Sequence, residues 1–284
     1  MNQSVTNMVS ARTHSQSTKM FEERSEQVFF LAAEGAQAFV ECVGEHLEVD
    51  AFHRSASEPD EPLAHYITTL YFDSETQEIA RACEGGVDDV RLRAREYYDR
   101  LPELGIRREP LLWLEVKTRI GASTRKVRVA IPTHEIQTVL RDGVITEQNL
   151  HFESEARGES AQAVLREVAE LCMHTAGPLR PDCIAHYRRR AWQDAAETLR
   201  ITLDTELAFH RPPLNPFQGG MTLADALAEP PVARLSHSLV EIKARGEQPE
   251  WLRELIAKVG LEPALEGRRA FSKFVAASHA IHSI

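Results

Sequence analysis

Eight strand-like segments, separated and followed by helical ones, predict an α+β domain built round one antiparallel sheet or barrel. Three observations predict it. Apolar and polar residues alternate with period two in most of the segments. A Gly121–Ser123 turn joins two of them as a hairpin. Amphipathic stretches of helical period fall between and after the strands. A chain of 284 residues, 43% hydrophobic and 27% charged, is long enough for one large core or two modest ones.

Taken in order, the polar, Ser- and Thr-rich residues 1–19 read as a disordered leader, and residues 20–284 as the folded domain. Met20–Leu31 suits a strand, and Ala36–Leu47 suits a helix with Phe39, Val40 and Val43 on one face. Ser55–Pro62 is a loop by composition. Strand patterns follow at His65–Phe72, Asp88–Tyr98, Leu111–Arg119 and Arg125–Ile131. A helix is expected near Glu159–His174, then strands at Asp182–Trp192, Thr198–Phe209 and Leu235–Lys243. The Pro- and Gly-rich Arg211–Gly220 must be a loop, and helices near Glu250–Val259 and Gly267–His279 close the chain.

A net charge of −10 argues against a general nucleic-acid binder. Cys42, Cys83, Cys172 and Cys183 lie far apart with no CxxC pair, the pattern of reduced core thiols in a cytoplasmic protein. No apolar run approaches the ~18 residues of a membrane helix, and the leader lacks the apolar region of a secretory signal.

The chemistry lies in the alternation. Side chains two apart share a face of a strand. One face carries Arg91, Arg93 and Arg95, and in the next strands Glu115, Lys117 and Arg119, then Lys126 and Arg128. Later strands present Tyr187 and Arg189, then Arg200, Thr202 and Asp204, then Glu241 and Lys243, while the first strand sets Arg24 beside Glu26. A solvated sheet face mixes both signs, because like charges opposite one another repel. Here eleven cations meet four carboxylates in a chain whose total is negative. Like charges ~4 Å apart near a surface repel by up to ~4 kcal/mol, so such a face calls for a polyanion. If the strands close with these residues inside, the lumen binds phosphate and the apolar faces turn outward beneath the helices. The four carboxylates are then either ion-pair partners or oxygen ligands for a divalent cation.

Several segments resemble the VTC polyphosphate polymerase domain, a branch of the triphosphate tunnel metalloenzymes (the CYTH-like superfamily). They are LYFDSETQEIARACEGGVDDVRLRAREYY (70–98), LEVKTR (114–119), RKVRV (125–129), RPDCIAHYRRRAW (180–192), LRITLD (199–204), VEIKARGEQPEWLREL (240–255) and FSKF (271–274). The resemblance implies an eight-stranded antiparallel barrel, a triphosphate tunnel, with helices packed on its outside. It further implies transfer of the ATP γ-phosphate to a polyphosphate chain, assisted by Mn²⁺ or Mg²⁺. Carried over residue by residue, Arg91, Arg93, Lys117, Arg189, Arg200 and Lys243 would contact nucleotide or polyphosphate oxygens. Arg24, Lys126, Arg128, Tyr187, Ser272 and Lys273 would line the same path, with Glu241 and then Glu26 as metal ligands. One departure stands out: the first strand reads RSEQVF (24–29), so Val28 stands where the family carries a lysine. The alternatives that this opens are a triphosphate hydrolase on the same fold and a non-catalytic polyphosphate-binding module.

Overall fold

A computed structural model of the chain describes residues 25–50, 64–85, 88–98, 111–120, 123–132, 170–171, 175, 177–214, 216–217, 222–266 and 269–282. The expected leader (1–19), the loop at 55–62, Arg24, Cys172 and all but 170–171 of the helix expected near 159–174 lie outside the described residues.

The eight expected strands are all present: β1 (Ser25–Leu31), β2 (His65–Asp73), β3 (Asp88–Tyr98), β4 (Leu111–Ile120), β5 (Ser123–Pro132), β6 (Arg180–Gln193), β7 (Leu199–His210) and β8 (Ser238–Ala244). They pair antiparallel in the order β1-β8-β7-β6-β2-β3-β4-β5, and two-residue strands bring this sheet to eleven. One short strand, Glu262–Pro263, lies beyond β1; the others are Glu48–Val49 beside β6 and Ala233–Arg234 beside β7. The expected barrel is corrected here, because among the described residues the ladder is open, ending at β5 on one side and at Glu262–Pro263 on the other. Pro263, opposite Phe29, has no N–H with which to carry the ladder further.

The open sheet nonetheless curls. Burial pushes the Lys117 ammonium on β4 below its ordinary value, and the charges acting most on it are Glu26, Lys243 and Glu241, from β1 and β8. In a flat sheet β1 and β4 would lie about 29 Å apart, at about 4.8 Å per strand and six steps, well beyond electrostatic reach in salt. The two flanks therefore face one another across a lumen.

Two helices cover the outside, as expected. From α1 (Ala33–His46) Phe39 and Val43 are buried, and from α3 (Glu250–Lys258) Leu252 and Leu255. They pack on Leu199, Ile201 and Leu203 of β7 and on Val240 and Ile242 of β8. Each such side chain contributes about 2 kcal/mol by leaving water.

Two further helices depart from the outside placement. Alternation did not reveal α2 (Glu78–Gly85); only Ile79, Ala80 and Cys83 of its eight residues are buried. The Asp73 carboxylate at the end of β2 starts it, accepting the N–H groups of Ile79 (2.9 Å) and Ala80 (2.8 Å). The last helix, α4 (Lys273–His282), begins later than expected, because Leu265–Glu266 and Arg269–Ala270 form a small hairpin before it. The Ser272 hydroxyl caps it by accepting the N–H of Val275 (3.4 Å). Phe274 stacks on Tyr71 with ring centroids 4.8 Å apart. Tyr71 is in register with Arg93, so α4 packs against the inner face of the sheet and not its outside.

A bulge prepares that seat. Arg189 pairs with Asp204, but Ala185 pairs with Phe209, so one extra residue enters β7 between them. Glu206 takes up the change with φ of +59°. Inward residues are even-numbered through Asp204 and odd from Leu207, which places Leu207 and Phe209 in one core cluster with Phe274, Ala277 and Ile281. That end of the lumen is apolar and filled.

Truncating Asp73 to Ala strands two buried N–H groups at the start of α2 and should lower unfolding free energy by about 2 kcal/mol. Urea unfolding measures it, and Asp73→Asn, which keeps one acceptor, should lose less.

Candidate functional site

The register of β3, β4 and β5 builds one flank of the lumen. Arg91 stands opposite Lys117, and Lys117 opposite Lys126; in the next row Arg93 stands opposite Glu115, and Glu115 opposite Arg128. Glu115 is fully buried. Its Oε2 accepts from Arg93 Nε and Nη2, both at 2.7 Å, while Oε1 faces Lys126 Nζ at 3.7 Å and Arg128 Nη1 at 3.8 Å without a hydrogen bond. Burial alone would raise this carboxyl, but Lys126, Arg93, Arg95 and Arg128 hold it well below the usual range. The same crowding acts on the cations. Glu115 holds the Lys126 ammonium up, yet burial with Arg128, Arg93 and Arg95 brings it down to about 7. The Arg128 guanidinium also lies 4.3 Å from the Trp113 ring, which fixes its plane.

The facing flank is built on β6, β7, β8 and α4. Asp204, almost wholly buried, receives a fork from Arg189, with Nε to Oδ1 at 2.5 Å and Nη2 to Oδ2 at 2.7 Å. Lys273 Nζ completes it at 2.7 Å from Oδ2. Beneath them the buried Tyr187 ring lies 5.3 Å from the Arg189 guanidinium and 5.0 Å from Lys273 Nζ. Burial would push the Tyr187 hydroxyl up, but Arg95 and Arg189 hold it below the ordinary phenol value. Burial would likewise raise the Asp204 carboxyl, which Arg189 and Lys273 hold down.

The rim of this flank carries Glu26, Lys243 and Arg200 in one row, and Val28, Glu241 and Thr202 in the next. Lys243 Nζ lies 2.6 Å from Glu241 and 3.7 Å from Glu26. Arg189 Nη2 lies 3.8 Å from Glu241, and Arg200 is paired with Asp50 at 3.0 Å. Val28 is half-buried and stands directly opposite Glu241.

Of the residues singled out from the sequence, Arg91, Arg93, Lys117, Lys126 and Arg128 share one flank, and Tyr187, Arg189, Arg200, Glu241, Lys243 and Lys273 the other. Glu26 joins the second at the edge, and Ser272 sits at the helix start with its oxygen engaged as a cap. Arg91 lies closest to the filled end, its Nε 3.3 Å from Cys83 Sγ of α2. Alternation placed Arg95 on this face with Arg91 and Arg93, but the roles carried over from the family resemblance left it out. That side chain is buried, donates from Nε to Thr69 Oγ1 at 3.0 Å and acts on Glu115 and Tyr187, as its parity with Arg91 and Arg93 already indicated.

As to a divalent cation, Glu26 and Glu241 both approach one point, now held by the Lys243 ammonium. No group of three or more His, Cys, Asp or Glu side chains able to hold a metal occurs among the described residues. The two carboxylates fit a cation that draws its other ligands from phosphate oxygens. Among the described residues the lumen sets at least ten cationic side chains (Arg91, Arg93, Arg95, Lys117, Lys126, Arg128, Arg189, Arg200, Lys243, Lys273) against Glu26, Asp50, Glu115, Asp204 and Glu241. Such an excess suits a linear polyanion.

The family model of the VTC domain matches residues 23–282. No curated protein matches the sequence. Among solved structures, the chain is similar to the PH1819 protein from Pyrococcus horikoshii OT3, with 11% identity, a TM-score of 0.38, and 89% of this chain and 98% of that one covered. It is also similar to a candidate adenylate cyclase from Bacillus halodurans, with 11% identity, a TM-score of 0.44, and 87% and 97% covered.

Asp204→Ala leaves Arg189 and Lys273 without their carboxylate and should cost about 3 kcal/mol in denaturant unfolding. Because the Asp204 carboxyl is depressed in the fold, its contribution is complete above the unfolded value of about 4 and disappears as pH falls through the folded one. The acid limb of stability against pH should therefore be shallower in the variant than in the wild type.

Proposed function

Because the chain belongs to the VTC domain family, we propose that it is an ATP-dependent polyphosphate polymerase that transfers the γ-phosphate within its cationic lumen. The observation that carries this reading is the convergence of guanidinium and ammonium groups from β3 to β8 and α4 on one lumen whose inner end is apolar and filled. In the transfer, the bond between the γ-phosphorus and the ADP oxygen breaks as one forms to a terminal polyphosphate oxygen. No covalent protein nucleophile is needed, so catalysis rests on alignment and charge neutralisation.

In this reading Arg91, Arg93, Lys117, Arg189, Arg200 and Lys243 bind the reacting phosphates, and Lys126, Arg128 and Lys273 guide the chain. Arg95 braces Glu115 and Tyr187 behind them. Glu241 and Glu26 would hold Mn²⁺ or Mg²⁺ once Lys243 turns from them toward phosphate. The ion would supply further neutralisation of the γ-phosphoryl oxygens.

One observation favours a second reading, a polyphosphate-binding module without turnover. Val28 sets an apolar side chain against Glu241, where the family resemblance expects an ammonium. Its place is partly taken by Lys243, which lies on Glu241.

The test is to incubate the purified protein with ATP and Mn²⁺, with and without a short polyphosphate primer, and to follow ADP and polymer together. Polymer growth is the expected result; ADP or phosphate release without polymer would make it a hydrolase. Polyphosphate binding with no turnover, unchanged in Val28→Lys, would leave only the binding module. Glu241→Ala should abolish metal-dependent turnover, with a loss of at least about 100-fold, while retaining most polyanion affinity. Wild-type activity in that variant would remove Glu241 from the metal site.

A further inference from the structure

The two buried carboxylates of the lumen are not used alike. Asp204 is saturated: both its oxygens accept short bonds, from the Arg189 fork and from Lys273. Glu115 is divided. Its Oε2 is fully engaged by Arg93, whereas the buried Oε1 makes no hydrogen bond and holds Lys126 and Arg128 only at 3.7 and 3.8 Å. A carboxylate oxygen can accept two bonds, so this one draws two cations toward itself without fixing either. The Lys126 side chain keeps 43% of its surface exposed, while burial still acts on its ammonium.

We propose that Glu115 is a positioning residue: it locks Arg93 through one oxygen and, through the other, holds Lys126 and Arg128 convergent until phosphate takes them over. This rests on the phosphate reading of the lumen. It goes beyond that reading in assigning a role to an anion inside an anion-binding site. With Glu115 ionised, Lys126 and Arg128 lean toward one point despite their mutual repulsion. When a phosphate chain arrives, they transfer to it, while Arg93 stays paired with Glu115 through Nε and Nη2 and meets phosphate with Nη1.

The groups facing Lys126 set how this is read out. They are Glu115 and Lys117 on β4, Arg93 and Arg95 on β3, and Arg128 on its own strand, so one carboxylate opposes four or more cations. Glu115 is the largest influence keeping Lys126 protonated, and its ammonium already titrates at about 7. Removing the carboxylate charge must move that titration to lower pH; removing one of the cations must move it up.

The experiment is calorimetric titration of the full chain with tripolyphosphate, without ATP or metal, from pH 5.5 to 9. The wild type should bind more weakly as pH rises through about 7, as Lys126 loses its proton. In Glu115→Gln the midpoint should fall by about one unit or more, and in Glu115→Asp it should stay near its wild-type value. Should Glu115→Gln fail to fold, Arg128→Gln gives the opposite sign, a midpoint raised above that of the wild type. A merely structural glutamate would lower thermal stability and leave the midpoint in place, so an unmoved midpoint in either variant overturns the proposal. Shifted midpoints in a protein that makes no polymer would sink the polymerase reading and leave this one standing. A wild type that does not bind tripolyphosphate would overturn both.

Discussion

Cations cannot be gathered inside a protein without an anion to hold them, and that constraint organises this fold. Two unpaired guanidinium groups a few ångströms apart repel by several kcal/mol where water is scarce. Desolvating each costs several more. Glu115 and Asp204 answer this at the centres of the two flanks, each buried, each ionised, and each surrounded by more positive charge than it can cancel. The remaining excess is what the lumen offers to a ligand. Stability and binding therefore draw on the same few side chains, with the carboxylates serving the first and the leftover charge the second.

The sheet meets this constraint by curling without closing. Long antiparallel strands with a strong twist bring β4 round to face β1 and β8, so charges from opposite ends of the ladder act on one another. The apolar faces of β1, β7 and β8 can then remain on the outside under α1 and α3, which is how a polar interior coexists with an ordinary hydrophobic content. The bulge at Glu206 adds a second device. By reversing parity within β7 it makes one strand cationic toward the open part of the lumen and apolar toward the end that α4 fills.

Much of this was legible in the sequence, and the exceptions have physical causes. Strict alternation marked β3 and β7 within a residue and β8 within three, and the same parity gave the lumen face at Arg91, Arg93, Lys117 and Lys243. It could not give α2, whose burial rests on three residues and whose start depends on a carboxylate five positions upstream of its first residue. It missed the reversal at Glu206, because a bulge is a property of pairing, not of one strand's composition. It set Gly267–His279 as a helix, since a pair of two-residue strands leaves no periodic trace. Nor could it separate Glu115 from Asp204. Both read as acidic members of a cationic face, and only the distances show that one is saturated and the other is not. The barrel was an inference from resemblance, and the ladder stops short of it at Pro263.

Pro263 has a consequence of another kind. Among the described residues the curled sheet does not join its ends, and an unpaired edge of β-structure is a template on which a foreign strand can grow. At the β1 side only Glu262 and Pro263 are added before the pattern stops, and a proline there supplies no donor while the adjacent glutamate brings a negative charge. The residue at which the ladder ends on this side therefore also guards that edge against intermolecular strand addition.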